Sequence, residues 1–120
     1  MKNDLIAQKS KTFAIRIVRL YKHLKKQNEF VLSNQILRSG TSIVANAYEA
    51  KYAQSRADLI SKRSISLKEA SETELWLDLL LEMEVITEEQ HASLHNDVIE
   101  LIKMYTAIIN RLKSEEEVDR

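Results

Sequence analysis

The amino-acid sequence predicts an all-α fold, an antiparallel up-down-up-down four-helix bundle, and three observations predict it. Apolar residues recur at alternating four- and three-residue steps, at Phe13, Ile17, Leu20 and Leu24 and again at Leu94, Val98, Leu101, Tyr105, Ile108 and Leu112. That spacing lays one stripe along a helix. Ser10, Ser33, Ser55 and Thr87 stand where four such segments begin, and each side chain can accept from the free N–H groups of a first turn. Finally, no segment alternates apolar and polar residues as a half-buried strand would, and the connections are too short for crossovers between parallel strands.

Each element then has its own justification. The first helix is expected over about residues 11–26, capped by Ser10 and carrying the Phe13 stripe. The second is expected over about 34–52, with Ser33 as cap and Leu32 and Leu37 in the two places of a hydrophobic staple. Ser55 with Asp58 three residues on is a carboxylate version of the capping box and opens a third helix over about 56–83. Thr87 and Gln90 form the capping box of a fourth, over about 88–112, and the acidic tail 113–120 is expected to fray. The whole of 1–120 reads as one domain.

Composition excludes several functions. A chain of 120 residues, 44% hydrophobic and 30% charged, suits one modest core. It has no cysteine, which removes disulfides, thiolate metal sites and cysteine catalysis and fits a reducing cytoplasm. No apolar run approaches the roughly 20 residues that span a bilayer, and the start "MKNDLIAQKS" lacks the apolar stretch of a secretion signal, so a cytoplasmic protein without a membrane partner is expected.

The net charge of zero conceals a division. Residues 1–68 hold 14 of the 18 Lys and Arg but 4 of the 18 Asp and Glu, a net +10, and residues 69–120 carry the complementary −10. Oppositely charged helices lying side by side are one reading. The other is a basic face for nucleic acid on the first helix, where Lys9 to Lys26 includes seven basic residues and no acid; its candidate contacts are Lys11, Arg16, Arg19, Lys22, Lys25 and Lys26.

Two helices raise the question of self-association. The run "ELWLDLLLEM" spreads apolar residues around nearly the whole circumference of the third helix and leaves Glu74, Asp78 and Glu82 to face water. Apolar character that wide implies burial by more than three neighbours. On the second helix, Gln35, Ser39, Ser42, Asn46 and Glu49 form a stripe of mostly small, hydrogen-bonding residues beside a second stripe of Ile36, Gly40, Ile43 and Ala47. Such residues let another backbone come near, and Gly40 removes a side chain altogether. Glu69 and Glu72 interrupt the apolar series from Ile65 to Trp76. Arg38 and Arg63 are the expected cations for those carboxylates, with Asn46 or Ser42 as further donors. The predicted interhelix or interface network is thus Gln35, Arg38, Ser39, Ser42, Asn46, Glu49, Glu69, Glu72 and Trp76.

Three stretches carry a resemblance: Gln35, Arg38, Ser39, Thr41, Ser42, Ala45, Asn46, Glu49 and Ala50; Lys9, Ser10, Phe13 and Ala14; and Lys68, Glu69, Ala70, Glu72, Thr73, Trp76 and Leu77. In that order they resemble the four-helix bundle proteins of the 23S rRNA intervening-sequence family. The resemblance implies a bacterial, cytoplasmic protein that assembles into a ring-like homo-oligomer, a pentamer, and has no established enzymatic activity. It also implies kinship with markedly basic accessory subunits of reverse transcriptases, from which this neutral chain departs. Many relatives place Gly where this chain has Glu84, at a turn suited to a left-handed C-cap.

Enzymatic readings find little footing. A bundle that holds two metals needs Glu-x-x-His on two helices, and the pattern occurs once, from Glu88 to His91. His95 follows His91 by four residues, but both fall in the first turns of the fourth helix and read as surface histidines. No histidine has an evident acidic orienter, no G-x-S-x-G elbow occurs, and one glycine cannot build a phosphate-cradling loop. The reading is a non-enzymatic, homo-oligomeric module for assembly or binding, with RNA or a ribonucleoprotein as partner and with neither cofactor nor metal. A carboxylate-rich metal-binding bundle and a reverse transcriptase subunit are the alternatives.

Overall fold

Four helices follow one another along the chain: α1 (Asp4–Lys26), α2 (Val31–Ala50), α3 (Arg56–Glu82) and α4 (Glu88–Val118). The computed structural model describes residues 4–118, and among them there is no strand. The molecule extends 53 × 23 × 22 Å. Among the described residues α1 and α3 each pack against both α2 and α4, while the backbones of the diagonal pairs stay apart. Paired positions run in opposite senses: Arg38 meets Glu69 and Glu72 while Glu49 meets Lys62, and Lys9 meets Glu100 while Arg16 meets Asp97. No helix among the described residues is long and apolar enough to cross a membrane.

The core follows the helical stripes. Phe13, Ile17, Leu20 and Leu24 of α1 meet Ile36 and Ile43 of α2, Ala70, Leu77 and Leu80 of α3, and Leu94, Val98, Leu101 and Tyr105 of α4. Along α4 the rhythm departs from the expectation at its end: Ile109 is buried, whereas Ile108 and Leu112 are half-buried. A straight helix turns once in 3.6 residues, so a strict seven-residue repeat drifts by about 20° per heptad off the buried face.

Four predicted boundaries are corrected. Helix α1 begins at Asp4, well before residue 11, and Ser10 is not its cap but a fully buried residue whose hydroxyl lies 2.7 Å from that of Tyr105. Ile6 and Ala7 are buried as well. The two extra turns therefore have core to cover, which local capping signals do not register. Helix α2 starts at Val31 with Phe30 in the cap position, and Ser33 lies inside its first turn, donating to the Phe30 carbonyl at 3.0 Å. Glu29 displaces it by accepting from the Leu32 N–H at 3.0 Å. Helix α2 ends at Ala50, two residues short of Tyr52, which is 83% exposed. Helix α4 continues to Val118, so residues 113–118 are helical rather than frayed; 119–120 lie outside the described residues. By contrast, Ser55 accepts from Asp58 N–H at 3.0 Å, and Thr87 and Gln90 exchange reciprocal bonds of 2.8 and 3.1 Å.

Among the described residues Glu84 and Asn28 are the non-glycine residues with positive φ, both at 61°. At each, a backbone bond runs back five residues, from Val85 to Leu80 and from Glu29 to Leu24. This is the Schellman arrangement, in which a left-handed residue frees the next N–H to satisfy a terminal carbonyl. The turn at Glu84 therefore adopts the left-handed geometry of a C-cap without a glycine.

Candidate functional site

The α2–α3 seam is the first polar cluster the fold assembles. The Arg38 guanidinium forks, one nitrogen donating to Glu69 at 2.9 Å and the other to Glu72 at 2.8 Å. Deeper, Ser39 and Thr73 are fully buried with their hydroxyls 2.8 Å apart. Thr73 donates to the Glu69 carbonyl, leaving Ser39 as the donor between them. Ser66 donates across the seam to the Ile43 carbonyl at 2.9 Å. Small hydroxyl residues thus bond a neighbouring helix where large ones would hold it away.

Not every predicted member joins. Ser42 and Asn46 bond within their own helix, to the carbonyls of Arg38 and Ser42. Glu49 reaches Lys62 at 3.5 Å, and Gln35 is exposed. Trp76 is half-buried, with its indole nitrogen buried and unpartnered. Arg63, expected beside the carboxylates, is elsewhere: it is buried, its Nε and Nη1 have no partner, and Tyr105 is the polar group that bears on it. Four residues after Leu59 and three before Ser66, its position on α3 turns inward, whereas Glu69 and Glu72 face Arg38.

The fork has an electrostatic consequence. Its hydrogen bond to Arg38 is the leading reason that the Glu72 carboxyl is held below its ordinary value of 4.5. A depressed carboxyl stabilises the fold fully above its unfolded pKa and loses that contribution as pH falls through the folded one. Glu72→Gln is therefore expected to cost about 0.5–1 kcal/mol at neutral pH, given the solvent screening of a partly exposed pair. The gap from the parent should narrow as pH falls below 4.5 and close once pH is under the folded value, as read by urea unfolding along that descent.

Gly40 of α2 lies directly against Ile17 of α1. A Cβ placed there would meet Cγ2, Cγ1 and Cβ of Ile17 at 2.8, 3.0 and 3.1 Å.

The basic helix divides. Arg16 is drawn onto α4, where it bonds Asp97 and, at 2.7 Å, the Ser93 hydroxyl, and Lys9 pairs with Glu100 at 2.9 Å. Lys11, Arg19, Lys22, Lys25 and Lys26 remain exposed, Lys25 lying over the Tyr21 ring. Part of the charge division is thus consumed between neighbouring helices, and part faces outward.

A second cluster, on the α3–α4 face, corrects two expectations. Glu74 and Asp78 do not simply face water; they are half-buried and meet His95 at 2.9 Å and His91 at 2.7 Å. Both histidines therefore have acidic partners. Only the acids' four-residue spacing, matching that of the two histidines, hinted at this, and sequence alone does not place one helix opposite the other. Glu88 of the Glu-x-x-His pattern is exposed and stands outside the cluster.

An all-α bundle cross-tied by an arginine fork and buried hydroxyls, with one basic edge, is the class these features define. The sequence pattern of the family described as 23S rRNA-intervening sequence protein matches residues 2–107, and the chain belongs to that family. It is similar to a crystal structure from Bacteroides thetaiotaomicron, a protein of unknown function from the S23 ribosomal protein family. The two are 57% identical with a TM-score of 0.88, over 92% of this chain and 99% of that one. No curated protein matches.

Proposed function

We propose that the protein is a non-enzymatic, self-assembling antiparallel bundle of the cytoplasm that presents α1 to structured RNA. The observation that carries the RNA reading is the row Lys11, Arg19, Lys22, Lys25 and Lys26. All five are exposed, and among the described residues none has a carboxylate within ion-pair reach. Cations left without internal partners are available to replace the counterions of a phosphate backbone. The order of paired positions supports the antiparallel topology. Self-assembly, as a ring of five copies, is supported by family membership and by apolar side chains left uncovered on α3, Leu75 at 50% and Ile65 at 38% exposure.

Binding to a structured 23S rRNA fragment is the test. Affinity should fall as salt rises, with a log–log slope of about −0.7 to −0.9 per phosphate contacted. Reversing Arg19, Lys22 and Lys26 to Glu should weaken binding at low salt by at least about tenfold and flatten that slope. Arg16→Glu is the less informative variant, because it also breaks the tie to Asp97. No binding at low salt overturns the RNA reading, and a monomeric mass at high concentration overturns self-assembly.

A further inference from the structure

We infer that Asp78, His91 and His95 form a binding site for one borderline divalent transition-metal ion, of which zinc is the type. The site lies on the α3–α4 face, apart from the α1 edge and the α2–α3 seam. His91 and His95 are one turn apart on α4, their rings stacked with centroids 5.0 Å apart and planes inclined by 22°. Asp78 faces them from α3, and the ligand atoms of the three residues all lie within 4.8 Å of one another.

The chemistry of the set selects the ion. Two imidazole nitrogens favour zinc, nickel, copper or cobalt over calcium or magnesium, which prefer all-oxygen shells. Zinc bonds of about 2.0–2.2 Å place tetrahedral donors about 3.4 Å apart, so the three ligands need to close in only slightly. Side-chain rotation suffices for that, since Asp78 is 47% and His95 30% exposed at the side chain. In the metal-free arrangement the Nε2 of His91 lies on Asp78 and that of His95 on Glu74. A metal takes the place of the proton between His91 and Asp78, and His95 turns its Nε2 from Glu74 onto the same ion, each imidazole keeping its remaining proton on Nδ1. Three protein ligands leave a fourth position for water, beside the Glu74 carboxylate.

The site draws both histidines onto one ion shared with Asp78, and this separates it from the pairing of each histidine with its own acid, which also joins α3 to α4. Titration of the untagged chain with cobalt(II) should develop the visible bands of a tetrahedral complex, saturating at one equivalent per chain and displaced by zinc. His91→Gln and His95→Gln should each weaken binding by at least about 100-fold, a loss comparable to the largest seen on removing outer-shell partners. Asp78→Asn should weaken it by about tenfold or more, while His23→Gln on α1 and Glu88→Gln leave it unchanged. Absence of a saturable complex in the parent chain overturns the proposal, as does cobalt binding that survives in the His91→Gln/His95→Gln double variant.

Discussion

Gly40→Ala is expected to destabilise the protein by up to about 2 kcal/mol, although alanine is the better helix former by about 1 kcal/mol. The added methyl would stand 2.8 to 3.1 Å from three carbons of Ile17. One of these is the Ile17 Cβ, which no rotamer change moves away. Either α1 and α2 separate or Ile17, fully buried, leaves its place. Overpacking of this kind costs about 1–3 kcal/mol and here outweighs the gain in propensity. Thermal and urea unfolding check the sign. A double-mutant cycle checks the cause: Ile17→Ala, costing about 2–5 kcal/mol alone, should cost at least about 1 kcal/mol less when Gly40 is already alanine. Simple additivity, or a Gly40→Ala variant more stable than its parent, would remove the close-approach argument.

Arg63→Met is expected to stabilise the fold by about 1–3 kcal/mol, a rise in Tm of several degrees. Arg63 is 6% exposed, and its Nε and Nη1 reach no acceptor. Burial lowers its pKa from the ordinary value, the reverse of Arg38, whose hydrogen bond to Glu72 raises it. Tyr105, itself pushed up by burial, is only a weak offset. Methionine follows much of the same path through the core without a charge to desolvate. Replacing a buried ion by an apolar side chain of similar length is neutral to stabilising where no carboxylate is orphaned by the change. Arg38→Met should do the opposite, because it leaves the buried Glu69 without its cation. A lower Tm for Arg63→Met would mean that this guanidinium has a partner of its own.

The two substitutions also indicate where sequence reasoning succeeded. Gly40 was legible because a lone glycine amid helix formers is costly unless something approaches it. The pairing of Arg38 with Glu69 and Glu72 was legible because the acids broke an apolar series. Arg63 was not, since an arginine three residues before Ser66 and seven before Ala70 carries no mark of facing inward. Nor was Ser10: a serine at the start of a periodic stripe has the same letters whether it caps a helix or bonds a tyrosine 95 positions away.

From the sequence alone came the helical class, the core stripes of α1 and α4, the caps at Ser55 and Thr87, and the family, because these depend on spacing and local hydrogen bonding within a few residues. Tertiary structure decided which arginine is paired and which is buried, which cations α4 absorbs, and that His91 and His95 face Glu74 and Asp78. Those outcomes depend on how each helix is rotated against its neighbour and slid along it. A stripe of apolar residues constrains that rotation only to within a face, and long-range contacts select the partner within it.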